Sequence, residues 1–346
     1  MLGPLPDVWF VAPGRFPDTR GTPLSIRWLA EAWAESGASS TVFTSGSPPE
    51  PAPSVPGVEV RRCGAPADPR PGLRLSRLTS TLRVAGALRR ALKKNNNVVL
   101  HGHHVDGALA ARLAAGVSGV PTVTQVHTRL SEELVRYSEG NSALKSCLGH
   151  VLDSVHFLSA RQIVFNVTDL PGAIQIPPVV PQREILRIET CRSSPSSHPS
   201  AVYIGNPDGY QNLESLVRLA AQNPGLRVRC ISHHAPTNAQ WHAFRGRIEW
   251  LQTESVDVLL TEAARAWWGV CPRELFAGYP YKALSYVGLG LPTLAVHDWG
   301  QPVAWAPIER TLGLSSPPAR VPAGALGRAR LAGLEQLREV YRSAIL

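Results

Sequence analysis

The chain has 346 residues, 44% of them hydrophobic and 18% charged, with a formal net charge of +9. That composition gives room for two ordinary globular domains and excludes a disordered chain. The 35 basic against 26 acidic residues favour anionic partners such as nucleotides or acidic lipid surfaces, and no apolar run approaches the roughly 20 residues that span a bilayer.

The N-terminus lacks the charged-then-apolar order of a signal peptide, so the expected location is the cytoplasm. Cys63, Cys147, Cys191, Cys230 and Cys271 are scattered, odd in number and never in a C-x-x-C pair, and they read as reduced core thiols. The prolines and glycines are spread through turns, with no internal repeat.

In chain order, the apolar run 8–12 predicts a strand and residues 13–23 a loop. Leu24, Trp28, Leu29, Ala32 and Trp33, at three- and four-residue spacing, predict a helix. Further strands are expected at 39–44, 58–60, 98–104, 121–128 and 162–167, with a helix through Arg112. This alternation implies a parallel sheet covered on both faces, a Rossmann-like domain.

Ligands of such sheets gather at the carboxyl ends of the strands, which singles out the loops after Ala12, Leu100 and Val126. On the first loop, Gly21 lets backbone approach a phosphate or sugar and Thr22 suits the N-cap of the next helix. His127 ends a buried-looking strand where chemistry is placed in doubly wound folds, although a lone histidine is usually structural. His101, His103, His104 and Asp106 invite a metal reading, but a full ligand set needs further side chains from other strand ends.

Between Arg61 and Lys94 lie ten basic residues and one acid, Asp68. In helical register Leu78, Leu82, Ala85, Leu88 and Leu92 form one stripe, with Arg83, Arg90 and Lys94 opposite. A core-packed helix with a solvated back fits this pattern, and so does a basic amphipathic helix on anionic lipid. No aromatic is interleaved with these cations, so nucleic acid is not an expected partner.

A join is expected near Ile176, with a polar, proline-bearing loop at 192–200. A second alternating unit starts at Ala201 with a strand, a turn at Gly205 and an amphipathic helix. Strands follow at 227–232 and 247–251, the latter carrying Trp250, read as a base-stacking or a core side chain. A helix with apolar residues at 331, 334, 337 and 341 closes the chain.

Residues 272–292 organise the second half: a turn at Gly278-Tyr279-Pro280, a helix carrying Lys282, Ser285 and Tyr286, and a Gly-Leu-Gly-Leu-Pro exit. Gly288 and Gly290 let the helix end crowd against neighbouring backbone, and Pro292 prevents its continuation. The helix start beside Pro280 and Tyr281 offers backbone N–H groups to an anion, and Lys282 adds a full charge. A surface lysine on a sheet-packed helix accounts for the segment equally well.

Tyr279-Pro280-Tyr281-Lys282-Ala283-Leu284 with Gly290-Leu291-Pro292 resembles the donor-binding signature of GT-B retaining glycosyltransferases of the GT4 type. The strand ending at His127 and the Gly205 turn are similar to two further landmarks of that family. The resemblance implies an α/β fold of two Rossmann-like doubly wound domains facing across a cleft. Residues 1–176 would be the acceptor-side domain, 177–325 the donor domain, and 326–346 a helix crossing back to the first.

The same resemblance implies transfer of a sugar from a nucleoside-diphosphate sugar to a small-molecule or lipid-linked acceptor, with retention of configuration and without a metal or other cofactor. His127 would hydrogen-bond the donor sugar or the acceptor. Gly21, Thr22, Gly205, Asn206, Gln211, Glu274, Tyr281, Lys282 and Ser285 would serve the donor. A basic helix over 73–94 would touch anionic lipid at the inner face of the membrane.

The chain departs from the family pattern where Asn206 and Gln211 replace an arginine and a lysine, and where Ala277 and Ser285 replace glutamates. Glu274 takes the first glutamate's place only if the turn is longer. These departures carry the alternative of an altered or non-catalytic GT-B protein that binds a nucleotide or partner. The His101 cluster carries a third reading, a metallohydrolase.

Overall fold

A computed structural model describes residues 5–18, 21–46, 54–64, 75–116, 118–137, 142–158, 161–164, 172–207, 211–237, 244, 246–273, 279–296, 303, 305–308 and 312–346. The chain forms two compact units, Met1–Pro181 with Arg330–Leu346, and Gln182–Ala329.

The first unit contains β1 (Asp7–Arg15), α1 (Gly21–Glu35), β2 (Ser40–Gly46), β3 (Glu59–Arg62), α2 (Leu75–Leu92), β4 (Val98–His103) and α3 (His104–Ala115). β5 (Thr122–Val126), α4 (Leu130–Tyr137), α5 (Ser142–Asp153), a 3-10 turn (Ser154–Leu158), β6 (Arg161–Val164) and β7 (Ile174–Gln175) follow. The strands form one parallel sheet in the order β3-β2-β1-β4-β5-β6-β7. Val8, Phe10, Val11, Val99 and Leu100 are fully buried, as expected of parallel strands covered on both faces. The chain winds outward from β1 to β3, then returns to lay β4 on the other side of β1. That reversal opens a crevice at the carboxyl ends of β1 and β4.

The α2 stripe is not the one its leucines suggest. Leu78 and Leu82 are 47% and 51% exposed, and the buried face is Ser80, Thr81, Val84, Ala85, Leu88 and Leu92. The Thr81 hydroxyl donates to the Arg77 carbonyl at 2.9 Å, which removes the cost of burying it. In the last helix, α10 (Ala325–Ile345), Leu331 is likewise exposed, while Leu334, Leu337, Val340 and Tyr341 are buried. Residues from Arg330 onward pack with the first unit, where Tyr341 meets Trp33 edge to face at 4.9 Å and Arg330 pairs with Glu35 at 3.0 Å.

The second unit contains α6 (Gln182–Thr190), β8 (Ser200–Ile204), α7 (Glu214–Gln222), β9 (Arg227–Ser232), β10 (Ile248–Gln252), α8 (Val256–Ala264), β11 (Trp268–Cys271), α9 (Tyr281–Leu289), β12 (Thr293–Ala295) and β13 (Trp305–Pro307). Its parallel sheet runs β10-β9-β8-β11-β12-β13, the same winding, with its reversal between β8 and β11. Tyr203, Leu216, Val228, Val270 and Leu294 anchor the core.

Helix α9 ends as its sequence requires, with Gly290 left-handed at φ 81° and Leu291 N donating to Tyr286 O at 2.8 Å. The crowding at this end is against side chains, not backbone: Gly288 faces Ile188 and Gly290 faces the Arg192 guanidinium. The cysteines also differ from expectation. Cys230 and Cys271 are buried, Cys63 and Cys191 only partly, and Cys147 is exposed.

Candidate functional site

In the second unit the site is built at the reversal point. β8 ends at Ile204, and Gly205 follows at φ 136°, a conformation that a side chain would strain. A Cβ there would stand 3.1 Å from Lys282 Nζ and 3.3 Å from the Tyr203 hydroxyl. Glycine therefore opens the turn to the ammonium of Lys282, the second residue of α9. Nζ lies 3.9 Å from the Tyr203 ring centre and donates to Gln211 Oε1 at 2.7 Å.

The surrounding groups hold one another. Gln211 Nε2 donates to Asn206 Oδ1 at 3.2 Å, and the Tyr203 hydroxyl donates to the Asn206 carbonyl at 2.6 Å. Tyr286 is fully buried against Gly269, where any Cβ would strike its ring. Its hydroxyl accepts from Ile204 N at 2.9 Å and donates to Val270 O at 3.2 Å, joining β8, β11 and α9.

Burial pushes the Cys230 and Cys271 thiols up to about 12 and about 11, against the opposing pull of Lys282. Both are therefore neutral thiols at pH 7. Arg273, just past β11 and 8% exposed, also acts on Cys271, so two cations bear on the carboxyl end of this sheet.

Tyr281 is half-buried with its ring 6.2 Å from that of Tyr279. Ser285, one turn after Lys282, is half-buried and has no hydrogen bond among the described residues. Glu274 and Ala277 lie outside the described residues. Arg265 is turned outward and pairs with Glu262 at 3.3 Å. Trp250 stacks on Phe244 with centroids 6.3 Å apart and donates from Nε1 to the His234 carbonyl, so it is a packing residue rather than a base platform.

In the first unit the reversal point gathers histidines. Gly21 is left-handed at φ 58° and opens α1. Thr22 lies inside that first turn instead of capping it, and its hydroxyl meets His104 Nε2 at 2.8 Å, joining the chain after β1 to the end of β4. His103 Nδ1 and His127 Nε2 are 3.0 Å apart, and His101 Nδ1 and the Tyr341 hydroxyl 2.7 Å. The loop after His127 is fixed by Asp153, whose carboxylate accepts from Leu130 N at 2.8 Å, Ser131 N at 3.1 Å and Ser131 Oγ at 2.8 Å. It thereby caps α4.

Burial holds His103 and His127 well below the ordinary histidine range, with the neighbouring imidazoles acting in the same direction. His101 and His104 fall to about 3, also through burial. Asp106 is taken by Arg77 at 2.9 Å, and among the described residues no group of three or more His, Cys, Asp or Glu is arranged to hold a metal ion.

Residues 20–167 match the family of the Glycosyl transferase 4-like domain. Among solved structures, sucrose-phosphate synthase from Thermosynechococcus elongatus is 15% identical with a TM-score of 0.64, over 98% of this chain and 95% of that one. Anabaena Alr3699/HepE, solved in complex with UDP, is 11% identical with a TM-score of 0.59, over 98% and 93%. The lipopolysaccharide outer core galactosyltransferase WaaB is 11% identical with a TM-score of 0.57, over 98% and 94%. Residues 20–167 are thus similar to the glycosyl transferase 4-like domain, and the chain as a whole has the GT-B fold of these structures. No curated protein sequence matches it.

The residues singled out in the second unit, Gly205, Asn206, Gln211 and Lys282, come together in one network. Gly21, Thr22 and His127 stand at the carboxyl ends of β1, β4 and β5 in the first. Sequence reasoning missed Tyr203, because a tyrosine within Ala-Val-Tyr-Ile-Gly reads as core. For Arg273 the sequence offers a signal of position alone: a cation two residues beyond a buried strand. No helix among the described residues is long and apolar enough to cross a membrane.

Proposed function

We propose that the protein is a glycosyltransferase that takes a sugar from a nucleoside-diphosphate sugar with retention of anomeric configuration. The observation that carries this reading is the meeting of Lys282 with the Gly205 turn at the start of α9. A diphosphate gains negative charge as the glycosidic bond breaks. A fixed ammonium, the Arg273 guanidinium and a helix N-terminus stabilise that charge without reorganising. Lys282 and Arg273 take over from the arginine and lysine replaced by Asn206 and Gln211, and this charge makes a metal unnecessary. UDP, the nucleotide held in the HepE complex, is the first to try.

Retention follows if the acceptor attacks from the leaving-group side and the departing diphosphate takes the acceptor's proton. A dedicated protein base is then not needed, and His127 hydrogen-bonds the donor sugar or the acceptor. The acceptor is a small molecule or a lipid-linked one. Exposed Leu78 and Leu82 beside Arg83 and Arg90 support contact of α2 with anionic lipid from the cytoplasmic side.

Release of nucleoside diphosphate, screened across a panel of sugar nucleotides without added metal, tests the reading. Turnover of one sugar nucleotide, lost in Lys282→Ala, supports it. Binding of a nucleotide with no turnover in the presence of any acceptor or water would favour the non-catalytic reading. That second reading is supported by the neutral amides of Asn206 and Gln211 in the network.

A further inference from the structure

We propose that His103 is a positioning residue that fixes the tautomer of His127, so that His127 meets its ligand as a hydrogen-bond donor through Nδ1. The inference rests on the reading above in which His127 touches the sugar or the acceptor, and it specifies what kind of atom is recognised. The two rings come from adjacent strands: His103 ends β4, His127 follows β5, and these strands pair in parallel.

The 3.0 Å contact between His103 Nδ1 and His127 Nε2 holds one shared hydrogen between two neutral rings. Suppose that His127 Nε2 donates it. His103 must then carry its own hydrogen on Nε2, which is buried and has no partner among the described residues. An orphaned buried N–H is among the rarest and costliest defects in a folded protein. Suppose instead that His103 Nδ1 donates. The buried Nε2 then keeps only a lone pair, and His127 Nε2 is an acceptor.

The second arrangement places the hydrogen of His127 on Nδ1. That nitrogen has no hydrogen-bond partner among the described residues, and His127 is the less buried ring, 9% exposed against 2% for His103. The ring of His103 is held in plane by His101, stacked at 4.5 Å and 19°, with Phe10 at 5.8 Å. His104 stands 4.7 Å from His127 on another side. A hydroxyl, carbonyl or ring oxygen of a sugar is the matching acceptor, and His127 in this form neither takes up nor loses a proton at neutral pH.

The experiment is long-range proton–nitrogen correlation on the full chain with nitrogen-15 histidine at pH 7, with His127 assigned from the signals lost in His127→Gln. The expected result is the Nδ1–H tautomer for His127 in the unmodified protein. His103→Asn, whose amide nitrogen stands where Nδ1 stood, should retain it, and His103→Asp, whose ionised carboxylate only accepts, should put the hydrogen on His127 Nε2. Finding Nε2–H or an imidazolium at His127 in the unmodified protein would overturn the proposal. The underlying reading fails separately, if His127→Ala leaves sugar-nucleotide turnover unchanged while the tautomer is as stated.

Discussion

The ammonium of Lys282 stands 3.9 Å from the centre of the Tyr203 ring, with its tip beside the Gly205 backbone. Lys282 reaches this place from the start of α9, and Tyr203 from the end of β8. The aromatic face attracts the positive charge and holds it over apolar surface. Tyr203→Leu should therefore weaken nucleotide binding by about 1–2 kcal/mol, roughly five- to thirtyfold. Tyr203→Phe keeps the ring, loses the bond to the Asn206 carbonyl, and should cost about 1 kcal/mol. Titration calorimetry with UDP distinguishes the two; equal losses would remove the aromatic face from the account.

Gly205→Ala brings two faults at once, a side chain at φ 136° and a Cβ against Nζ. Backbone strain alone is about 1–3 kcal/mol. A lower Tm together with lost nucleotide binding is expected. An alanine variant of unchanged stability and affinity would mean that the turn is not held as described.

Asp153→Ala should destabilise the first unit by about 1–2 kcal/mol, because three donors at the start of α4 lose their acceptor. Asp153→Asn keeps an acceptor oxygen and should recover part of the loss. Urea unfolding of the three proteins reads this directly, and equal midpoints would contradict the cap.

Stability should fall on acidification below about pH 6.5, where an unfolded histidine begins to protonate. His101, His103 and His127 have depressed native values, so the unfolded chain binds more protons between its own pKa and the native one. Stability is present above pH 6.5 and lost as pH falls from there toward the native values. His101, fully buried with a native value of about 3, withdraws about 2 kcal/mol by pH 5. His101→Phe should lower the slope of stability against pH by about 1.4 kcal/mol per unit in that interval. An unchanged slope would show that His101 is not buried neutral.

The doubly wound architecture was legible because strands covered on both faces are written as apolar runs separated by helical periods. Of the network around Lys282, Gly205 and Lys282 were legible through the resemblance of their segments to family motifs, since a turn glycine or a helix lysine alone fits a structural role equally well. The pairing of His103 with His127 was not, since it depends on the register of β4 against β5, which no local pattern encodes. The buried face of α2 was misread because Ser80 and Thr81 count as polar by type, although the Thr81 hydroxyl is satisfied within its own helix. Thr22 was misread for the opposite reason: its hydroxyl is taken by His104, 82 residues away in the chain.

The most direct test of the proposed donor site is the thermal shift produced by UDP, without added metal, in the unmodified chain and in Lys282→Ala. At a hundredfold excess over Kd, binding to the native state adds about 2.7 kcal/mol, several degrees in Tm. The account predicts that this shift is present in the unmodified chain and absent in Lys282→Ala. An equal shift in both proteins would contradict it.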